Sequence, residues 1–433
     1  LLSVSLVTVY HTSPEEKSII CTLLGNIALE SAFPACYNNH KLTYYGDNTM
    51  KILIHGGHVI DPANRVDGQL NLLIEDGKIH SFGEMRMFSI PEGCETIDAK
   101  GLFVGPGLID IHIHGYLGKD VCDGEEESIR TISKGLLANG VTGYLPTTMT
   151  VDMKVIKKAL EVCRALKEES KTWEGSTILG VHAEGPFISA AKKGAQDPKY
   201  ILKPDAKFVK EYADIIRIIS LAPEEDENFE AIKEIRRDTD VIMSIGHTSA
   251  DYDTAMKSTE VGMRHVTHLF NAMTPLAHRA PGVVTAALNS DVSCELIVDA
   301  FHVNPVLYDM LFKIKGRKLC FITDCLPAGG LPEGEYTLGG SKIIYRGIVC
   351  RLEDGTVAGS VLHLNKGVWN VYTNSNIPLW ECVNGASLNP ATTLGIDKTK
   401  GSIEVGKDAD IIITDNEFNV EKTIIGGNIR YES

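Results

Sequence analysis

The nine residues from Gly107 to Gly115, Gly-Leu-Ile-Asp-Ile-His-Ile-His-Gly, hold the densest chemistry in the chain. In an extended strand alternate side chains share a face, so His112 and His114 are expected on one side and Ile109, Ile111 and Ile113 on the other. Imidazole nitrogen is a common ligand for divalent ions, and two of them at a strand end could seat one. A short motif of this kind also fits two ordinary histidines on a half-buried strand, so the rest of the chain has to decide. Glu184 sits in Val181-His182-Ala183-Glu184-Gly185-Pro186-Phe187, where a carboxylate ending a strand needs a cation or a hydrogen-bond partner; a salt bridge or a cap is the ordinary alternative. His247 ends Ser244-Ile245-Gly246-His247, and His268 ends His265-Val266-Thr267-His268. Asp324 ends Cys320-Phe321-Ile322-Thr323-Asp324 and could equally cap a helix. Taken singly each is unremarked; together they make four imidazoles and two carboxylates, a donor set suited to a divalent metal that keeps a position for water.

The elements that must bring these residues together are legible from periodicity. Strand-like runs occur at 108–114, 141–147, 177–184, 215–221, 241–247, 264–270, 294–300 and 318–324. Helical spacing separates several of them, as in Val151–Glu169, Asn228–Arg237 and Pro305–Lys315. Eight strands alternating with helices predict an α/β fold of the (β/α)8 TIM-barrel type, with a doubly wound sheet as the rival. Polar placement favours the barrel, because only a closed barrel converges so many strand ends on one point.

Outside this region the pattern changes to short strands and tight turns. Ile52-Leu53-Ile54 and Leu72-Leu73-Ile74 read as strands, with Glu75-Asp76-Gly77-Lys78 as a hairpin turn. Lys342–Arg351 and Asp410–Thr414 repeat that grammar near the C-terminus, so both ends are expected to build a small β-sandwich. The expected layout is an N-terminal extension at 1–49, poorly ordered; sandwich at 50–105; barrel at 106–333; sandwich strands inserted at 334–360; helices closing the barrel at 361–400; and sandwich again at 401–433.

The 433 residues suffice for a large core, and the composition, 43% hydrophobic and 23% charged, is that of a globular protein. A net charge of −15 argues against nucleic acid or an anionic membrane as partner, while leaving room for a small anion in a local basic pocket. No apolar run reaches the roughly 18–20 residues a membrane helix needs. Residues 1–49 lack the basic start and cleavage site of a secretory signal. The ten cysteines form no C-x-x-C pair and sit singly in apolar contexts, which fits reduced thiols in the cytoplasm.

The run Gly105-Pro106-Gly107-Leu108-Ile109-Asp110-Ile111-His112-Ile113-His114-Gly115, with Gly406-Lys407-Asp408-Ala409-Asp410, resembles the amidohydrolase superfamily. Four further pieces are similar to the branch of it that deacetylates amino-sugar phosphates: His182-Ala183-Glu184-Gly185-Pro186-Phe187, Gly246-His247-Thr248, Thr267-His268-Leu269-Phe270-Asn271-Ala272-Met273, and Thr323-Asp324. The resemblance spans Met50 to Tyr431. It implies metal-dependent hydrolysis of N-acetyl-D-glucosamine 6-phosphate to D-glucosamine 6-phosphate and acetate. It also implies one or two divalent ions per subunit, zinc or iron. Glu184, His247 and His268 would hold the principal ion; His112 and His114, with Glu184 bridging and Asp324 nearby, would complete a second position. No lysine stands where other amidohydrolases carry a carboxylated bridging lysine, which disfavours dihydroorotase or hydantoinase chemistry.

In the implied reaction Asp324 is the catalytic residue, taking a proton from water as general base and returning it to the departing nitrogen. The branch's sugar and phosphate contacts fall on Ala195 and Gln196, on Asn271 and Ala272, on Arg279, on Asp299-Ala300-Phe301-His302 and on Val357-Ala358-Gly359. Arg279 on its own residue type would read as a surface salt bridge. Several relatives carry histidine at the place of Gln196 and glycine at that of Ala300, so the pocket here differs in detail. The resemblance further implies a homodimer in which Arg279 and His302 reach the neighbouring subunit's site. His182 is expected to support the metal ligands, and His265 and His363 to be structural. Two other readings use much the same residues: a deaminase of a purine or pyrimidine ring, and a non-catalytic scaffold on the same barrel.

Overall fold

A computed structural model of the chain describes residues 50–84 and 93–433, so the expected extension at 1–49 lies outside the described residues. Lys51–His55 pairs with Asn71–Glu75 and with Glu95–Asp98, and Lys78–Gly83 completes a four-stranded sheet. The hairpin turn falls where Asp76 and Gly77 both have positive φ (48° and 73°), the backbone a tight right-twisting hairpin needs. A second, six-stranded sheet runs in the order Asn428–Glu432, Val420–Ile425, Ile411–Thr414, Phe103–Pro106, His58–Asp61, Val66–Gln69. The C-terminal strand Ile411–Thr414 pairs with Phe103–Pro106, so distant parts of the chain share this sheet. Ile52, Ile74, Val104, Ile411, Ile413 and Ile424 fill the space between the sheets. Ile412, one residue out of phase, packs with Ile60 into the larger core that includes the barrel. Full burial of each such isoleucine contributes about 1.5–3 kcal/mol relative to leaving it exposed.

The barrel strands are Leu108–Ile113, Val141–Thr148, Val181–Glu184, Ile216–Leu221, Ile242–Ile245, His265–Val266, Ser293–Ile297 and Leu319–Ile322, referred to below as the first to the eighth. Successive strands pair in parallel. The eighth returns to the first through a parallel bridge between Ile113 and Cys325 and a hydrogen bond from the Asp324 N–H to the His112 carbonyl of 2.9 Å. Ile109, Ile111, Leu145, Ile218, Ile242, Ile297 and Ile322 come from six strands and form one cluster, which only the barrel interior can accommodate. Ala391 and Leu394 of the helix Leu388–Leu394 join that cluster.

Three sequence expectations change in detail. Ile113 does not pack with Ile109 and Ile111 but joins the larger core. The first strand shifts register twice against the second, between Val141 and Gly143 and between Tyr144 and Pro146, and each shift breaks the simple alternation. The helix expected from Asn228 begins only at Glu230, because Asn228 and Phe229 hold positive φ (55° and 57°). The strands expected as sandwich inserts at 334–360 pair only with one another, as Gly334–Leu338, Ser341–Arg346 and Val349–Leu352. Their buried residues Leu338, Ile343 and Cys350 join the barrel-side core, so this small sheet belongs to the barrel rather than the sandwich. Among the described residues no helix is long and apolar enough to cross a membrane.

Candidate active site

Every residue of the expected metal set sits at the C-terminal end of a barrel strand, and all six are nearly or wholly buried. Glu184 ends the third strand and is followed by Gly185 at φ 83°. A Cβ at position 185 would lie 2.2 Å from Thr150 Oγ1, so only glycine fits this turn. His247, His268 and Asp324 follow the fifth, sixth and eighth strands with φ of 47°, 29° and 51°. Left-handed backbone at a non-glycine residue costs of order 1–3 kcal/mol and persists where neighbouring structure enforces it.

Glu184 is the hub. Its Oε1 lies 3.1 Å from His247 Nε2, 3.0 Å from His268 Nε2 and 3.4 Å from His112 Nε2; its Oε2 lies 3.4 Å from His114 Nε2. Asp324 Oδ1 is 3.3 Å from His114 Nε2 and 3.6 Å from His112 Nε2. His247 Nε2 faces His268 Nε2 at 3.1 Å, and His112 Nε2 faces His114 Nε2 at 3.3 Å.

The opposite ring nitrogens determine what these close approaches mean. Nδ1 of His114 lies 3.2 Å from the Thr147 carbonyl, Nδ1 of His247 lies 2.9 Å from the Lys192 carbonyl, and Nδ1 of His112 lies 2.9 Å from Glu295 Oε2. Each of these partners can only accept, so each Nδ1 carries the proton and donates it. In the neutral rings the Nε2 lone pairs therefore point at one another and at carboxylate oxygens. Lone pairs do not converge at this distance without a cation or proton among them, which is the donor arrangement a divalent ion requires. Three groups lie close enough to share an ion: Glu184 with His247 and His268, His112 with His114 and Asp324, and His112 with His182 and Glu295. In the third the Nδ1 atoms of His112 and His182 donate to Glu295 and to the Ile111 carbonyl, so only the first two present free lone pairs. The Nδ1 of His268 is buried without a hydrogen-bond partner.

Electrostatics point the same way. Burial opposes charge on His114, but hydrogen bonding to Asp324 and Glu184 outweighs it and raises the imidazole to about 9. Burial would likewise raise Glu184 and Asp324, yet the surrounding histidines hold both carboxyls below their ordinary range. The carboxylates thus stay ionised and demand positive charge. His182, by contrast, is pushed down to about 3 by burial and by His112. It lies 3.0 Å from the Ile111 carbonyl through Nδ1 and 2.7 Å from Ser220 Oγ through Nε2, so it is a neutral, fully bonded residue beneath the site.

A cavity of about 370 Å³ opens above this cluster, within the size range of small-ligand sites. Of the residues expected at the substrate, Ala195, Gln196, Asn271, Ala272, His302, Val357 and Gly359 line it. Arg279, Asp299, Ala300, Phe301 and Ala358 do not. Asp299 instead fixes His302, with its Oδ2 2.7 Å from Nδ1 and its Oδ1 accepting the Phe301 and His302 backbone N–H groups. Ala358 is buried against Cys350. Arg279 is exposed on the loop after the sixth strand. Gln196 accepts from the Thr150 N–H at 2.8 Å through Oε1 and donates to Glu184 Oε2 at 2.5 Å, which orients its amide toward the hub. Sequence reasoning missed Lys192 at the cavity wall and Glu295 beneath it; a glutamate inside the apolar run Cys294-Glu295-Leu296-Ile297 was the available signal for the second.

Residues 103–430 match the model of the amidohydrolase family. The chain is 39% identical over 367 residues to an N-acetylglucosamine-6-phosphate deacetylase of Bacillus subtilis (strain 168), covering 83% of this chain and 92% of that one. It is 31% identical over 345 residues to an N-acetylgalactosamine-6-phosphate deacetylase from an Escherichia coli strain, covering 78% and 90% respectively. The crystal structure of N-acetylglucosamine-6-phosphate deacetylase from Pasteurella multocida superimposes with a TM-score of 0.83 at 31% identity, over 89% of this chain and all (100%) of that chain.

Proposed function

The chain belongs to the amidohydrolase family, and from that membership we propose that it removes the acetyl group from N-acetyl-D-glucosamine 6-phosphate by metal-dependent hydrolysis, giving D-glucosamine 6-phosphate and acetate in amino-sugar breakdown. The observation that carries this reading is the convergence of four imidazoles and two buried carboxylates at the floor of the cavity. Glu184, His247 and His268 would hold one divalent ion, zinc or iron, and His112, His114 and Asp324 a second. Such an ion supplies Lewis acidity, polarising an amide carbonyl and lowering the pKa of water toward ~7.

The protein's own groups do the rest. Asp324, held ionised by its histidine neighbours, takes the proton from attacking water and hands it to the amine nitrogen as the C–N bond breaks. Gln196 uses one N–H on Glu184, and the second N–H of the same amide can reach a carbonyl oxygen in the cavity. His302, anchored by Asp299, and Asn271 line the cavity and would bind the sugar or its phosphate.

Arg279 reaches the chemistry only if a second copy supplies it. Val306, Met310 and Ile314 are spaced four residues apart on and just before the helix Tyr308–Lys315 and are 79%, 39% and 47% exposed. Phe301 and Leu276, the latter on the same loop as Arg279, are also exposed. In the homodimer we propose, these apolar side chains would be covered and Arg279 of one subunit would serve the other's cavity, where guanidinium suits a phosphate. All eight cysteines among the described residues are free thiols, which supports a cytoplasmic location.

The deciding experiment measures acetate and ammonia released from N-acetylglucosamine 6-phosphate, its galacto isomer and unphosphorylated N-acetylglucosamine. Acetate from a phosphorylated sugar, with little from the unphosphorylated one, is the expected result. Equal rates on both would remove the phosphate part of the reading, and no acetate from any would remove the whole.

A further inference from the structure

Glu295 lies in the seventh strand, wholly buried, below the cavity. It is near enough to His112 and His182 to share an ion with them, but both of their Nδ1 atoms donate to acceptors, Glu295 itself and the Ile111 carbonyl, so it stands beneath the six expected ligands as a hydrogen-bond acceptor. Its carboxylate takes three donors. Oε2 accepts His112 Nδ1–H at 2.9 Å and the backbone N–H of His268 at 3.1 Å; Oε1 accepts His265 Nε2–H at 3.1 Å. His265 is fixed in turn by Ser293, whose Oγ lies 2.6 Å from its Nδ1. One oxygen therefore holds the ring of a ligand from the first strand and the strained backbone of a ligand after the sixth.

We propose that Glu295 is a positioning residue that fixes His112 as its Nδ1–H tautomer and ties that ring to the backbone of His268, so that the two halves of the ion site are set by one buried carboxylate. An inward-facing imidazole on a strand can present either nitrogen, and only the acceptor behind it decides which. Without that acceptor the His112 proton is free to move to Nε2, where it occupies the lone pair aimed at Glu184. The backbone of His268, at φ 29°, loses the bond that holds it. This rests on the metal reading above and is independent of the substrate.

The geometry separates two substitutions. In Glu295→Gln the amide oxygen can keep both the His112 and His268 bonds, while its NH2 faces His265. His265 can then accept through Nε2 and donate from Nδ1 to the rotatable Ser293 hydroxyl, so the site survives. In Glu295→Leu no acceptor remains. Zinc is titrated into the full-length wild type and both variants, with metal content read by mass spectrometry and thermal melting read alongside. The His112 ring nitrogens are assigned by long-range 1H–15N spectra of the zinc-loaded protein. Expected are an Nδ1 proton on His112 in wild type and Glu295→Gln, near-wild-type zinc in Glu295→Gln, and zinc bound about 10- to 100-fold more weakly in Glu295→Leu. Wild-type zinc affinity in a folded Glu295→Leu overturns the proposal, as does an Nε2 proton on His112 in wild type. If Glu295→Leu does not fold, loss of zinc from folded Glu295→Gln overturns it instead. Failure of the wild type to bind zinc or another divalent ion would sink the metal reading itself, a distinct result.

Discussion

The barrel mouth and the β-sandwich both bury charge, and they handle it in opposite ways. In the sandwich Lys400, Lys407 and Asp410 find counterions within the chain, while the buried Asp61 is held by Asn64 and backbone N–H groups. Lys400 lies 2.5 Å from Asp410 and 2.9 Å from Asp408, Lys78 lies 2.5 Å from Asp408, and Lys407 lies 2.6 Å from Glu404. At the mouth, among the described residues, no lysine or arginine pairs with Glu184, Asp324 or Glu295, and the basic groups that face these carboxylates are imidazoles. A charge cluster that carries its own cation holds a fold together; one that does not is built to receive a cation.

Substitutions can break that contrast, taken from the largest effect down. Glu184→Gln removes the charge touched by four imidazoles, so bound metal should fall to background and acetate release with it; retention of metal in this variant would show that the mouth is self-sufficient. Asp324→Asn should leave the Glu184–His247–His268 group intact while lowering turnover by about 10²- to 10⁴-fold, the range expected for loss of a general acid–base group. Lys400→Met should leave turnover per folded molecule unchanged and lower the free energy of unfolding by roughly 2–3 kcal/mol, because Asp410 loses its cation and is left with the Gly426 N–H. Arg279→Ala should raise KM for the phosphorylated sugar about tenfold and leave the unphosphorylated one alone, consistent with one charge-assisted contact of about 1.5 kcal/mol.

Acidity sharpens the same contrast. Burial opposes the charge on Lys400, but Asp410 and Asp408 outweigh it and raise its pKa, so its contribution is present below the ordinary lysine range and is lost only as the pH climbs past it. Burial would raise Asp408, but Lys78 and Lys400 lower it, so its contribution is lost only as the pH falls below the ordinary carboxylate range. Sandwich stability should therefore be flat from about pH 5 to 9. Metal binding at the mouth displaces protons from imidazoles that nearby carboxylates make more basic, so affinity should fall steadily as the pH drops from 8 to 6. Parallel denaturant and metal titrations across that range check both.

The candidate metal ligands were more legible than the surfaces that frame them. All eight barrel strands stand where the apolar runs placed them, because a strand buried on both faces must be continuously apolar and its ligand is the polar residue that ends the run. Pairing partners were not legible. The run near 341–352 announces strands, but nothing local distinguishes a place in the sandwich from a separate sheet over the barrel. Register shifts in the first strand were equally silent, since both faces are buried and either phase reads as apolar. Glu295 was visible as an anomaly: the desolvation reasoning applied to Glu184 holds for any glutamate inside an apolar strand. Arg279, Phe301 and Ala300 were expected near substrate through family likeness alone, and within a single chain they stand outside the cavity.

The segment from Ser189 to Gln196 walls the cavity, and it hangs from the candidate metal ligands themselves. The Ser189 N–H donates to the His247 carbonyl, the Lys192 carbonyl receives His247 Nδ1–H, and Gln196 grips Glu184. A wall suspended from the hub cannot be reshaped on its own: an insertion or deletion that moves the Lys192 carbonyl re-aims His247, and one that moves Gln196 tugs on Glu184. Altering which sugar enters is thereby mechanically coupled to retuning the centre that cleaves it, and the freer handle for redesign is the opposite rim, at Val357 and Gly359.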